Sequence, residues 1–365
     1  MIKVCHLTSV HTRYDTRIFL KECQSLARHN YDVSLVVADN LGDEVKDGVA
    51  IYDVGKTNSG RLSRFTKTTR KVYRKALDLE ADIYHFHDPE LMPFAYLLKR
   101  KGKKVIYDVH EDVPRQLLSK PYLGAISKRL LSFLIEKVEN FYSSKFSAIS
   151  TATPFIRDRF LKLNTNTIDI NNYPLLEELF DSSYQSVKKN QVCFIGGISE
   201  IRGIESLVNA CEYINGKLIL AGKFNNHDLE QRIKSLKGWK NVDFRGFINR
   251  EEAKKLLSES KGGIVTFLAE PNHINAQPNK MFEYMSAQLP VICSDFELWK
   301  SIIEVNNCGF CINPDDSIQI AEKINLLLDN SDIVTKLGLN GRQSVVSKYN
   351  WSIEEAKLLN VYNFL

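Results

Sequence analysis

Short apolar runs alternate along the chain with longer stretches in which apolar residues recur every three or four positions. The runs 2–8, 33–37, 82–86, 104–109, 146–150 and 166–171 read as strands. The stretches 17–29, 89–100, 124–141 and 154–162 between them read as amphipathic helices. A second series follows, with strands at 191–196, 217–221, 241–244, 262–267, 290–293 and 309–312. Its helices are expected at 203–213, 226–235, 250–259, 279–287 and 315–329. Repeated βα units bury both faces of a parallel sheet under helices. Two such series in 365 residues therefore predict an α/β protein of two Rossmann-like domains. Residues 1–172 are the expected first domain, 173–190 a polar linker and 191–348 the second domain. Residues 349–365 are expected to form a C-terminal helix packing back on the first domain, with Ser352 and Glu355 as a capping box.

Composition adds little to that frame. The chain is 44% hydrophobic and 25% charged, with a net charge of +5. That is enough apolar material for two cores, and the mild basicity permits an anionic partner without requiring one. No apolar run reaches the roughly 18 residues of a spanning helix. The N-terminus reads as a strand, not a secretory signal, so a cytoplasmic protein is expected. The seven cysteines are scattered and odd in number, which argues against a disulfide framework. Cys308 and Cys311 form a C-x-x-C pair, but within a short apolar strand, where buried thiols are the expectation. Charge is concentrated at 61–75, where Arg61, Arg64, Lys67, Arg70, Lys71, Arg74 and Lys75 occur without an acid. This segment is either a solvated helix face or a dock for an anionic membrane surface. Nothing resembles a recognition helix or a base-stacking platform, so no nucleic-acid partner is expected.

Candidate chemistry centres on residues 270–295. A Pro- and Asn-rich loop enters a helix near Pro278, with Asn279 and Lys280 in its first turn and Glu283 one turn later. Helix N-termini suit diphosphates, and a carboxylate one turn in can accept from a ribose diol. The run Pro278-Asn279-Lys280-Met281-Phe282-Glu283-Tyr284-Met285-Ser286-Ala287, followed by Pro290-Val291-Ile292, resembles the nucleotide-binding segment of retaining glycosyltransferases of family 4, which have the GT-B fold. The resemblance extends to Tyr84-His85-Phe86-His87-Asp88, Tyr107-Asp108-Val109-His110-Glu111, Phe194-Ile195-Gly196-Gly197 and Trp351. It implies two parallel sheets facing a central cleft, a nucleotide-sugar donor, and Glu283 as the ribose ligand. It also implies base contacts from Phe247 and Ile248, and a contact from His110 to the donor sugar or phosphate.

Two positions depart from the family pattern. The first of its two glutamates falls at Asn275, so a sugar contact there has to come from an amide. The first of its two cations falls at Gly197, leaving Arg202, with Lys223 after the next strand as the expected second cation. In place of a Gly-Gly loop after the first strand stand His11, Arg13, Asp15 and Arg17, expected with Glu111 near the acceptor or the donor phosphate. His85 and His87 alternate on a strand and share a face, where a structural role is expected for at least one.

The implied reaction is retaining transfer of a hexose-type sugar to a hydroxyl of a glycan or lipid-linked acceptor, in surface-polysaccharide synthesis. Electrostatics preorganised around the leaving diphosphate would carry it. Arg202, Lys223 and the helix end at 278–280 would do the work of a metal, and no cofactor is expected. An enzyme of this kind is expected on the inner face of the plasma membrane. A GT-B nucleotide-sugar epimerase would share the fold but needs paired carboxylates near the sugar. An inactive nucleotide-sugar-binding module is the third reading. A nicotinamide dehydrogenase is excluded by the lack of glycine in the loop after the first strand.

Overall fold

The apolar runs form strands that are buried on both faces, as parallel strands under two helical layers must be. A computed structural model describes residues 1–57, 64–118, 124–180 and 187–365, with only the backbone of Arg64 and Ala125. The chain divides into two compact units, Met1–Asn172 with Ser352–Leu365, and Tyr173–Trp351.

The strands of the first unit are β1 (Lys3–Leu7), β2 (Asp32–Val37), β3 (Glu44–Lys46), β4 (Val49–Asp53), β5 (Ile83–Phe86), β6 (Lys104–Val109), β7 (Ala148–Thr151) and β8 (Thr167–Asp169). They form one sheet in the order β3-β4-β2-β1-β5-β6-β7-β8. Every pairing is parallel except β3 with β4. That hairpin is absent from the sequence expectation. Its signal was the Asp47-Gly48 pair, both at positive φ (49° and 78°), the two-residue turn whose twist matches paired strands. The strand order reverses between β1 and β5. In open parallel sheets, ligands bind beyond the strand ends at such a switch.

Three helices of this unit matter below: α1 (Thr69–Leu79), α2 (Met92–Arg100) and α3 (Ala125–Ser143). α2 packs between α1 and α3. Tyr73 stacks on Phe94 at 5.1 Å and Tyr96 meets Tyr142 edge-on at 5.7 Å.

The second unit has six parallel strands: β9 (Gln191–Ile195), β10 (Lys217–Ala221), β11 (Val242–Gly246), β12 (Gly263–Val265), β13 (Val291–Ser294) and β14 (Gly309–Ile312). Their order is β11-β10-β9-β12-β13-β14, with the reversal between β9 and β12. One face packs Phe194, Leu207, Leu220, Ile264 and Ile324, and the other packs Val265, Met281, Tyr284, Trp299 and Val345. Of the stretch expected as a linker, residues 181–186 lie outside the described residues. Tyr173 and Leu179 are buried in the second core, so this part of it is packed structure.

The sequence reading omitted the helices Glu297–Ile303 and Ser331–Ser347. The second is interrupted by Gly338 and Gly341, which lower helical propensity. At Gly338 a Cβ would lie 2.3 Å from the carbonyl oxygen of Gln288, so the glycine permits a close approach. The final helix starts at Trp351, not after a cap at Ser352. Glu355, expected to close that cap, instead pairs with Arg28 at 3.0 Å. Cys308 is buried as expected, and all seven thiols are free.

Candidate functional site

In the second unit, β9 ends in Ile195 and the chain turns at Gly196, whose φ of 129° suits glycine. The turn is fixed from two sides. The backbone N–H of Ile195 donates to the Tyr284 hydroxyl (3.0 Å), tying the strand end to α4 (Asn279–Ser286). Gly222 approaches so closely that a Cβ there would sit 1.8 Å from the Gly196 carbonyl oxygen.

Two cations converge on this turn. Arg202 donates to the Gly197 carbonyl at 2.9 Å. A Cβ at Gly196 would lie 2.0 Å from the Lys280 Nζ and 3.5 Å from an Arg202 nitrogen. The lysine therefore fills the space above the glycine. It reaches there from the first turn of α4, behind Pro278 and Asn279. Burial and the Arg202 charge, only partly offset by Glu283, push the Lys280 pKa down to about 7. No carboxylate pairs with it among the described residues. Two like charges held together without a counter-ion form an anion site.

The structure thus changes the expected partner of Arg202. Lys223 is exposed, with its ammonium 5.3 Å from the Phe247 ring. Phe247 is exposed and Ile248 half-buried beyond β11. Glu283 is half-buried and pairs at 3.0 Å with Arg250, which Glu178 also engages. Arg250 escaped the sequence reading because it lies 33 residues away. Asn275 is half-buried in a loop fixed by Trp299, whose Nε1 donates to Ala276 (2.8 Å), and by Tyr173, which donates to Gln277 (3.1 Å). In the same loop His273 is buried against Phe267, and burial lowers its pKa.

In the first unit, the loop after β1 folds over the ends of β5 and β6. Asp88 accepts from the Thr8 hydroxyl (2.8 Å) and the Ser9 backbone N–H (2.6 Å). His11 lies between Asp15 (3.2 Å) and Asp88 (3.4 Å), its ring 4.9 Å from that of His110. Burial opposes the charged form of His11. The Asp15 hydrogen bond and the charges of Asp88, Asp15 and Asp108 outweigh it and raise its pKa. His110 is held through Nε2 by Asp108 at 2.8 Å, which leaves Nδ1 as the ring atom for a ligand. Asp108 precedes His110 by two residues, the spacing that puts two side chains on one face of a strand. That spacing was the signal available for it.

The two arginines of the loop turn inward. Arg13 donates to Asp39 (2.8 and 2.7 Å), Glu44 (2.6 Å) and the Gly42 carbonyl (2.9 Å). Arg17 donates to both oxygens of Asp108 (2.8 and 2.6 Å) and to the Ile170 carbonyl (2.7 Å). Both are buried, and their guanidinium groups organise the loop and the strand ends instead of facing a ligand. Glu111 is exposed and accepts from Gln116.

Beneath His110 lies a buried network. His87 approaches Asp108 (3.1 Å), His110 (3.2 Å) and His6 (2.9 Å). His85 contacts Ser150 (3.2 Å) and Tyr362 (2.8 Å). Burial lowers the pKa of His6, His85 and His87, the last to about 4, so these imidazoles are neutral near pH 7. Glu22, His85, His87 and Asp108 bring donor atoms within 4.8 Å of one another. Arg17 already supplies positive charge to both carboxylates, lying 3.2 Å from Glu22, and protein groups satisfy Asp108 and His85. The network is a support for His110, not a ligand set.

Residues 16–170 match the family described as Glycosyltransferase Family 4, and residues 177–344 the family described as Glycosyl transferases group 1. The O-antigen chain mannosyltransferase C of Escherichia coli is 22% identical over 294 residues, 76% of this chain and 74% of that protein. The fold is similar to that of a sucrose-phosphate synthase from Thermosynechococcus elongatus, with TM-score 0.80, 16% identity, and 100% and 98% of the two chains covered. It is also similar to Anabaena HepE, solved in complex with UDP-glucose, with TM-score 0.75, 15% identity and both chains covered in full.

Proposed function

The chain belongs to glycosyltransferase family 4 and is a transferase of the GT-B fold; from that premise we propose that it moves a hexose-type sugar, with retention, from a nucleotide-sugar to a hydroxyl of a glycan or lipid-linked acceptor in bacterial surface-polysaccharide synthesis. The observation that carries the donor reading is the convergence of Arg202 and Lys280 on the Gly196–Gly197 turn. A diphosphate there meets two cations, and the first N–H groups of α4 add their partial charge. Arg offers a planar fork and Lys a compact point charge, a pairing suited to the two phosphates of a leaving nucleotide. The acceptor hydroxyl loses its proton to the departing diphosphate oxygen while these groups stabilise the charge that develops there.

Glu283 takes the ribose, Phe247 and Ile248 the base, and Asn275 a sugar hydroxyl. His110, fixed by Asp108, takes the donor sugar or phosphate contact. With two cations and a helix end at the diphosphate, the reaction is proposed to run without a metal or other cofactor. The O-antigen assignment of the similar mannosyltransferase and the UDP-glucose bound by a neighbour of the same fold support the donor and pathway class. An epimerase or an inactive module is less well supported, because the family matches and this relative are transferases.

No helix among the described residues is long and apolar enough to cross a membrane. Arg61 of the basic segment lies outside the described residues. Lys67, Arg70, Lys71 and Arg74 are exposed, which supports docking on the cytoplasmic face of an anionic membrane. The test is a thermal-shift screen of UDP-, GDP-, ADP- and dTDP-sugars. Donor hydrolysis and an NMR assignment of the product anomer follow for the sugar that binds. A nucleotide-sugar that binds but is never hydrolysed or transferred supports the inactive module, and an inverted product overturns the retaining reading.

A further inference from the structure

Helix α3 is inverted. An amphipathic helix on a sheet normally turns its apolar stripe inward. Here Ser132, Glu139 and Ser143 face the protein. Ser132 donates to the Pro114 carbonyl (2.8 Å), and Glu139 is held by Tyr107 (3.0 Å) and Arg159 (2.6 Å). Ile126, Leu130, Phe133, Leu134, Val138 and Phe141 instead face solvent, with exposures of 84, 58, 56, 50, 53 and 55%. Their spacing of three and four residues makes one continuous stripe over about four turns. Scattered exposed apolar residues are ordinary, but a continuous stripe marks an interaction surface.

We infer that α3 lies in the interfacial region of an anionic lipid membrane and anchors the first unit there. Charge selects the partner. Lys128, Arg129, Lys137 and Lys145 flank the stripe. The two acids of the helix are both engaged, Glu136 by Arg115 at 2.9 Å and Glu139 by Arg159. A second copy packed stripe to stripe would bring these cations together without acids to pair them, whereas phosphate headgroups complement them. The Lys137 and Lys145 ammonium groups lie 5.3 and 5.9 Å from the Phe133 and Phe141 rings. Such stems can run along apolar surface while their heads stay in the headgroup layer. Through α2, the stripe belongs to the same helical layer as the basic α1. Charge on α1 and apolar area on α3 then supply the two signals that stable peripheral binding needs.

The inference extends the membrane reading above, so each helix is tested alone. Vesicles of phosphatidylcholine with 30% phosphatidylglycerol, free of donor and acceptor, are sedimented with the full chain. Three proteins are compared: wild type, an α3 variant (Leu130→Ser, Phe133→Ser, Leu134→Ser, Phe141→Ser), and an α1 variant (Arg70→Ser, Lys71→Ser, Arg74→Ser). Wild type should pellet, and the α3 variant should partition at least about tenfold less at 0.15 M salt, where exposed charge is already screened. Its melting temperature and donor-induced thermal shift should stay at wild-type values, since the replaced groups make no buried contact. Equal partitioning of α3 variant and wild type overturns the inference. So does a wild-type dimer that the α3 substitutions convert to monomer, which would assign the stripe to a second copy. A deficit confined to the α1 variant keeps the electrostatic reading and removes the α3 anchor. None of these outcomes bears on the transferase reading, which the donor screen tests separately.

Discussion

Lys280 gives the donor site a pH dependence that can be worked out in advance. In the free protein its pKa is about 7, because burial and Arg202 both oppose the charged form. A bound diphosphate reverses that balance and favours the ammonium, so binding takes up a proton above pH 7. The fraction already protonated falls from half at pH 7 to about 1% at pH 9, so donor affinity should fall about fifty-fold over that interval. That is roughly 2.3 kcal/mol at 1.4 kcal/mol per decade. Calorimetry in two buffers of different ionisation enthalpy should show uptake approaching one proton at pH 8. Lys280→Gln should bind weakly throughout and lose both the slope and the uptake. The stability of the free protein should respond in the opposite sense. A folded pKa near 7 against about 10.4 in the unfolded chain means the lysine's stability penalty is fully present below pH 7 and fades toward pH 10. Lys280→Met should therefore melt higher than wild type at pH 6.5, by a few kcal/mol at most for a half-buried group, and the gain should shrink by pH 10. Flat donor affinity from pH 7 to 9 without proton uptake would refute the placement of Lys280 at the diphosphate.

Glu283→Ala should weaken donor binding by about 10- to 100-fold, as loss of charge-assisted hydrogen bonds costs about 1.5–3 kcal/mol. Its melting temperature should hardly change, because the Arg250 pair it loses is exposed; unchanged affinity by calorimetry would remove Glu283 from the site. Arg17→Met strands two buried carboxylates, Asp108 and Glu22, and should cost about 3–5 kcal/mol in urea unfolding; a near-neutral result would show that the network does not depend on its cation. Transfer activity should survive excess EDTA. Complete loss that Mg²⁺ or Mn²⁺ restores would replace the two-cation account with a metal.

Much of the fold was legible because parallel strands buried on both faces are nearly pure apolar runs, as in Val4-Cys5-His6-Leu7 and Val192-Cys193-Phe194-Ile195. What was lost was local. The β3–β4 hairpin is too short and polar for a hydrophobic run to mark it, and only Asp47-Gly48 gave it away. The helix at 331–347 hid behind two glycines that its packing requires. Site residues followed the same division. His110 and Glu283 stand on contiguous motifs. The inward turn of Arg13 and Arg17 depends on Asp39, Glu44 and Asp108, which lie 26 to 91 residues away. A charged loop residue looks the same in sequence whether it meets a ligand or a buried carboxylate.

The departure at Gly197 shows how such a gap can be closed in space. A sequence comparison reads the missing cation as a loss, because it looks only at that position in the turn. The structure brings Lys280 to the same turn from the far side, out of α4, and the absence of side chains at Gly196 and Gly197 makes the room. A Cβ at Gly196 would collide with Nζ and Cε of Lys280, at 2.0 and 2.2 Å. Glycine and lysine thus form a matched pair. A cation grown from position 197 beside Lys280 and Arg202 would place three positive charges together with no acid among them. The turn can carry a second cation from its own strand or accept one from the helix. This chain has the second arrangement, which also puts the lysine where the helix end already favours an anion.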